Sequence, residues 1–163
     1  MKHTVVGVDI AKHVFQLYWV ERETGEIVNL SLKRERFLAH FANRAPCLIG
    51  MEAGGGSQHW ARQLKALGHE VRLLPGRRVK PFVGGNKNDA ADARAVWTAV
   101  QQPGIKSVAV KSEAQQAVLA LHRMRQQLPA ILEQRKLRIK FSVATLHGNR
   151  VGVCEIFTIT RCG

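Results

Sequence analysis

The sequence predicts an α/β domain built on a mixed sheet flanked by helices, followed by a long helix with coiled-coil character. Three observations point there. Two runs of strand length, TVVGVDI and VFQLYWV, are rich in β-branched and aromatic residues and are separated by a short polar turn. Residues 47–74 read strand, helix, strand, which implies a parallel crossover. Beyond Ser112, apolar residues recur three and four apart, as on one face of a helix.

Thr4 to Ile10 is a buried strand, Ala11-Lys12-His13 a tight turn and Val14 to Val20 a second strand. After the turn Glu21 to Gly25, a third strand over Glu26 to Leu32 completes a meander. Arg34 to Asn43 forms a short helix with Phe37, Leu38 and Phe41 on one face. Cys47 to Met51 is an apolar strand, with Glu52 directly after it. Gly54-Gly55-Gly56 leads to Ser57, a candidate N-cap for a helix through Leu67 that Gly68 ends. Glu70 to Leu74 is the next strand, stopped by Pro75-Gly76.

Arg77 to Lys87 reads as a basic loop, and a helix follows from about Asp89 to Val100. Lys106 to Val110 suggests one more short strand. Ser112-Glu113-Ala114-Gln115 has the form of a capping box. The helix it opens carries Val118, Leu121, Met124, Leu128 and Ile131 as its seam, Pro129 as a site for a kink, and a basic end at Arg135, Lys136, Arg138 and Lys140. Val151 to Ile159 reads as a strand with no visible partner. The expected organisation is therefore a domain over residues 1–110, the long basic helix over 111–140 and a divergent tail over 141–163.

The chain has 163 residues, 25 Lys and Arg against 12 Asp and Glu, and a net charge of +13. That balance favours a polyanionic partner, nucleic acid above all. The three cysteines, Cys47, Cys154 and Cys162, are too scattered for a disulfide framework or a zinc site, which fits a reducing cytoplasm. Cys47 lies in an apolar run and reads as a buried small hydrophobe. No signal-peptide layout and no membrane-length apolar stretch is present.

Against this charge the carboxylates stand out. The sequence has three aspartates, and two of them, Asp89 and Asp92, sit three apart at the start of one helix, on the same side. The third, Asp9, lies between Val8 and Ile10 at the end of the first strand, a poor place for a mere surface charge. Glu52 ends another strand. If those two strands are neighbours, Asp9, Glu52, Asp89 and Asp92 converge. Carboxylates so close repel one another and take up protons unless a hard cation such as Mg²⁺ or Mn²⁺ sits between them. Two such ions serve phosphodiester chemistry. Each acid also has a plainer reading: Asp89 and Asp92 as partners of a helix N-terminus, Glu52 as a solvated charge. Lys12, Arg77, Arg78, Lys80, Lys87 and Arg94 are candidates to grip a nucleic-acid backbone, against the alternative of a solvated basic face. Gln58 and His59 stand near Glu52 as further substrate candidates, with plain helix surface as the default. The glycine triplet lacks the Gly-Lys-Ser/Thr ending of a P-loop.

Several segments in order fit one pattern: Gly7-Val8-Asp9-Ile10-Ala11-Lys12, Met51-Glu52-Ala53, Trp60-Ala61-Arg62 with Leu67-Gly68-His69, Val79-Lys80-Pro81-Phe82, and Gly85-Asn86-Lys87-Asn88-Asp89-Ala90-Ala91-Asp92-Ala93. Over roughly residues 4–140 the chain resembles the N-terminal domain of the DEDD transposases of the IS110 insertion-sequence family, relatives of the Piv DNA invertases. The resemblance implies a RuvC-like, RNase H-type fold and a tetrad of Asp9, Glu52, Asp89 and Asp92 that binds Mg²⁺ or Mn²⁺ for DNA strand cleavage and exchange. It also implies DNA and a structured guide RNA as partners and work at the bacterial nucleoid in the cytoplasm; the seam of the long helix, if the chain is complete, suggests a homo-oligomer. Members of the family continue into a second domain with a catalytic serine. The tail after Phe141 does not resemble that continuation and suggests a truncated or frameshifted copy. Two alternatives belong to other classes: a non-catalytic nucleic-acid binder, and an actin-like phosphotransferase, for which the chain is too short.

Overall fold

The computed structural model describes residues 3–84 and 89–146, with side chains described for 3–84 and 90–133. Five strands make one sheet: β1 (Val5–Ile10), β2 (Val14–Val20), β3 (Ile27–Lys33), β4 (Leu48–Glu52) and β5 (Glu70–Leu74). Their order is β3-β2-β1-β4-β5. β1, β2 and β3 form an antiparallel meander, whereas β4 runs parallel to β1, and β5 parallel to β4. The helices are α1 (Phe37–Ala42), α2 (Ser57–Ala66), α3 (Gly76–Val79), α4 (Asp89–Val100) and α5 (Glu113–Leu146). This is the mixed sheet flanked by helices that the sequence predicts, with the long helix after it. The chain divides into two compact units, Met1–Lys111 and Ser112 onward.

Because side chains alternate along a strand, the sheet has two distinct faces. On one face Val6, Val8, Phe15, Leu17, Ile49, Met51 and Leu73 meet Phe37 and Phe41 of α1 and Trp60 and Leu64 of α2. Phe15, Phe37 and Trp60 pack edge to face, with ring centroids 4.7, 5.1 and 5.4 Å apart. Each such pair adds about 0.5–1.5 kcal/mol beyond its buried area. On the other face Leu48 and Leu74 meet Val79 and the α4 residues Ala95, Val96, Ala99 and Val100.

Two glycines seat α4 against the sheet. Gly7 of β1 and Gly50 of β4 are register partners. A Cβ on Gly7 would collide with the carbonyl oxygen of Ala93 and the backbone nitrogen of Trp97, and one on Gly50 would come within 2.9 Å of Val100 Cβ. The helix backbone therefore lies directly on the strand. Beside it the Trp97 indole donates a hydrogen bond to the Val5 carbonyl at 3.1 Å and packs edge to face on Tyr18 at 5.4 Å.

The crossover between β4 and β5 ends as its glycine suggests. Gly68 has φ of +89°, the His69 N–H reaches the Leu64 carbonyl at 3.1 Å, and the Gly68 N–H reaches that of Lys65 at 3.0 Å. This is a Schellman motif. Ser57, expected as an N-cap, is instead the first residue of α2, with Gly56 at the cap. Its hydroxyl closes the glycine turn, accepting from Gly54 N–H at 2.8 Å and donating to Gly54 O at 2.9 Å.

Two further expectations change. The start of the basic loop is helical: α3 is followed by a 3-10 turn over Lys80–Phe82. The turn exists because it buries Val79 against α4 while leaving the side chains of Arg77, Arg78 and Lys80 exposed. Lys106 to Val110 is not a ladder-forming strand; it meets β5 at one bridge, the Val108 N–H on the Leu73 carbonyl at 2.7 Å. Its end is pinned by side chains, since the Lys111 N–H donates to Gln58 Oε1 at 2.7 Å and the Lys111 carbonyl accepts from Arg62 at 2.8 Å.

Ser112 and Gln115 form the expected capping box, with reciprocal bonds of 3.0 and 3.2 Å. α5 contains Pro129, and its seam residues Val118, Leu121, Met124, Leu128 and Ile131 are exposed. The side chains of its basic end, Lys87 and the expected strand over Val151 to Ile159 lie outside the described residues. Among the described residues no helix is long and apolar enough to cross a membrane.

A buried polar link joins β4 to the helix layer. His69 Nδ1 accepts from the Cys47 N–H at 3.3 Å and stands 3.3 Å from Cys47 Sγ, while its Nε2 donates to the Phe41 carbonyl at 3.1 Å. That pattern requires a neutral imidazole protonated on Nε2. A cysteine beside a histidine suggests a nucleophile, but burial pushes the Cys47 thiol up to about 11, with Arg44 opposing weakly. The thiol stays protonated at neutral pH, so Cys47 is the buried small hydrophobe the sequence suggests.

Two outcomes follow from this packing. Gly7→Ala, whose Cβ meets backbone on α4, should cost about 3 kcal/mol or more. Gly54→Ala, with open space around it, should change stability by less than about 1 kcal/mol. Equal unfolding midpoints in urea for Gly7→Ala and wild type would refute the close seat. In peptide mass mapping at pH 8, Cys47 should resist iodoacetamide in the folded chain and react once urea unfolds it. Rapid labelling of the folded chain would show that the thiol is not buried as described.

Candidate metal and nucleic-acid site

The glycine seat and the strand register decide where the acids fall. On β1, Val5, Gly7 and Asp9 share the α4 face; on β4, Leu48, Gly50 and Glu52 do. The parallel register pairs Gly7 with Gly50 and Val8 with Met51. One rung further, Asp9 and Glu52 stand side by side at the C-terminal ends of adjacent central strands. The topology thus meets the condition on which the expected convergence depended. Glu52 is the last residue of β4 rather than the residue beyond it. Its carboxylate lies over Gly76, where a Cβ would meet Oε1 and approach Cδ to 3.0 Å.

α4 supplies the third acid. Asp92 lies in its first turn, one residue before the buried Ala93 that rests on Gly7. Asp9, Glu52 and Asp92 together line one cavity of about 600 Å³, with Lys80, Val79, Val83 and Val96 as its other walls. Three separate elements therefore bring three carboxylates to one space. Asp89 occupies the first position of α4, one turn from Asp92, and its side chain lies outside the described residues. A second cavity of about 260 Å³ shares Asp9 and Glu52 and is walled by Ile10, Gly54, Gly55, Gly56 and Ser57. Hence the acid pair separates two spaces, one under α4 and one under the glycine turn.

Among the described residues no three acids are drawn together as a ready-made ligand cluster. Mutual repulsion holds carboxylates apart, and a hard cation between them removes that repulsion. The donor set itself, oxygen ligands alone from Asp and Glu, suits Mg²⁺ or Mn²⁺ rather than a softer metal.

The basic residues separate into groups. Lys80 faces the acid cavity. Arg77 and Arg78 are exposed on α3, directly before Val79 and Lys80 of its wall. Lys12 is exposed in the turn after Asp9. Arg94 is exposed on α4, but two residues from Asp92 it faces another direction. Gln58 is excluded as a substrate contact, being buried and bonded to Lys111. His59 is exposed helix surface packed edge to face on Trp60.

Sequence reasoning missed that the exposed Lys80 lines the acid cavity, and it missed the apolar wall of Val79, Val83 and Val96. It also gave no role to Gly7 and Gly50. A glycine in each of two strands, both two residues before an acid, was the available signal.

Similarity to known proteins identifies the family. Residues 6–146 match the family model of the IS110-type DEDD transposases, described as a transposase. The chain is 45% identical over 123 residues to a probable family 20 transposase of Pseudomonas aeruginosa, a match covering 76% of this chain and 36% of the relative. It is 35% identical over 125 residues to the transposase for insertion sequence element IS1328 of Yersinia enterocolitica, covering 77% and 37%. With the transposase for insertion sequence element IS1111A of Coxiella burnetii it shares 36% over 124 residues, covering 76% and 34%. The chain thus spans about a third of the length of the curated relatives it matches. Among solved structures, T. thermophilus RuvC in complex with a Holliday junction substrate aligns with a TM-score of 0.45 at 12% identity, covering 65% of this chain and 99% of that one. Since the matched span runs from β1 into α5 and includes Asp9, Glu52, Asp89 and Asp92, the chain belongs to the IS110 family of DEDD transposases.

Proposed function

We propose that Asp9, Glu52, Asp89 and Asp92 hold divalent metal, Mg²⁺ or Mn²⁺, and that this chain carries the DNA strand-cleaving centre of an insertion-sequence transposase acting in the bacterial cytoplasm. The observation that carries the reading is the convergence of Asp9, Glu52 and Asp92 from β1, β4 and α4 on one cavity. When bound, the metal would supply Lewis-acid stabilisation of charge at a phosphodiester. The residues of the chain do the rest. Asp9 and Glu52 form a fixed floor because both end central strands. Asp92 closes the cavity from the helix side, at a depth set by the Gly7 seat. Arg77, Arg78, Lys12, Lys87 and Arg94 attract the DNA backbone, consistent with the net charge of +13.

A metal titration with thermal unfolding tests the centre. At Mn²⁺ about a hundredfold above its Kd, wild type should gain about 2.7 kcal/mol of stability by mass action. Glu52→Gln and Asp92→Asn should lose most of that gain while remaining at least as stable as wild type without metal, since each removes carboxylate repulsion. The same Mn²⁺ response in wild type and both variants would dispose of the metal reading.

The DNA contacts are tested by salt. Each phosphate contact to duplex DNA contributes about 0.9 to the slope of log K against log salt. Replacing Arg77 and Arg78 together by Gln should reduce the slope by about 1.8. An unaltered slope would remove α3 from the DNA interface.

A further inference from the structure

We propose that the cavity under α4 is a nucleotide subsite, and that Lys80 is the residue in it that contacts the phosphodiester being cleaved. This rests on the metal reading above and separates Lys80 from the other basic residues. At about 600 Å³ the cavity far exceeds the needs of an ion or two. It lies within the range of about 300–1,000 Å³ typical of pockets that enclose a small organic ligand. Its walls differ in chemistry. Asp9, Glu52 and Asp92 are acidic, Val79, Val83 and Val96 are apolar, and Lys80 is the sole cation among its described lining residues. One nucleotide combines the matching parts: a phosphate for the cation and metal, and a sugar and base for the apolar wall.

The backbone of Lys80 is also held in place, while its side chain is exposed. It begins the 3-10 turn Lys80–Phe82, its carbonyl accepts the Val83 N–H at 3.1 Å, and its neighbour Val79 is buried in the core. Among the described residues no ion pair joins its ammonium to the cavity acids. A cation that lines the same cavity as the carboxylates without pairing with them is available to an anion that the carboxylates alone would repel. Arg77 and Arg78 precede the same turn but do not line the cavity. Lys80 therefore acts on the one phosphate at the acids, and Arg77 and Arg78 act on the backbone outside.

The test uses the full chain, Mn²⁺ and thymidine 3′,5′-bisphosphate as a one-nucleotide probe. Free Mn²⁺ is followed by electron paramagnetic resonance, and probe binding by Mn²⁺ broadening of its ³¹P signals. Lys80→Gln should weaken the probe about tenfold, as expected for loss of a charge-assisted hydrogen bond. It should leave Mn²⁺ affinity within about twofold of wild type or tighter, because a nearby positive charge is gone. Lys80→Arg should restore probe binding, and Arg77→Gln with Arg78→Gln should leave it within about twofold, by the same reasoning. The proposal is overturned if wild type does not bind the probe, if Lys80→Gln binds it as wild type does, or if the Arg77 and Arg78 variant loses it equally. Tighter Mn²⁺ with unchanged probe binding would make Lys80 a counter-ion of the acids and likewise overturn it. Should Glu52→Gln leave Mn²⁺ affinity unchanged, the metal reading fails and Lys80 loses its assigned role with it.

Discussion

The contact between α4 and the two central glycines controls the site. A helix ordinarily rests on a sheet through side chains of both, so its axis stands well off the strands. Here Gly7 and Gly50 remove the sheet's side chains at adjacent positions, and the backbone of α4 descends to the strand at Ala93 and Trp97. Asp92 is thereby lowered to the rung where Asp9 and Glu52 end their strands. Raise the helix by one methyl layer and the third carboxylate leaves the cavity. The small residues Ala93, Ala95 and Ala99 on the buried side of α4 serve the same approach.

The arrangement also reconciles two opposite electrostatic demands. A net charge of +13 draws polyanions toward the chain, whereas a cavity lined by three carboxylates turns a phosphate away at short range. Attraction over a Debye length and repulsion over a few ångströms coexist only if something local changes the sign. On the proposed reading, divalent metal at the acids would do so for the cavity as a whole, and Lys80 adds a positive charge at its wall. The exposed arginines of α3 do not line the cavity and lie outside that conflict.

Much of this was legible in the sequence because it depends on local signals. The strand runs, the Schellman glycine at Gly68, the capping box at Ser112 and the span of α4 are set by residues close in the chain. The neighbourhood of Asp9 and Glu52 was legible only as a condition, since strand order is a long-range property. Failures arose where tertiary contact overrode local chemistry. Arg77 to Phe82 looked like a loop by charge, yet burial of Val79 folds it into helical turns. Ser57 looked like a cap by residue type, yet its hydroxyl is used within the glycine turn. Lys106 to Val110 looked like a strand by composition, yet Gln58 and Arg62 pin its end and leave a single bridge to β5. Lys80 looked like one cation among six, and only the cavity distinguishes it.

The two compact units differ in what stabilises them. The unit through Lys111 buries aromatic and aliphatic residues on both faces of its sheet, so its geometry is enforced by packing. α5 exposes the seam Val118, Leu121, Met124, Leu128 and Ile131, and its described support is local: the Ser112–Gln115 box and intrinsic helix propensity. Helices gain most of their stability from burying an apolar face, and the described seam of this one is exposed. Every described residue of the acid cavity's wall belongs to the first unit, where the strand register and the glycine seat place Asp9, Glu52 and Asp92.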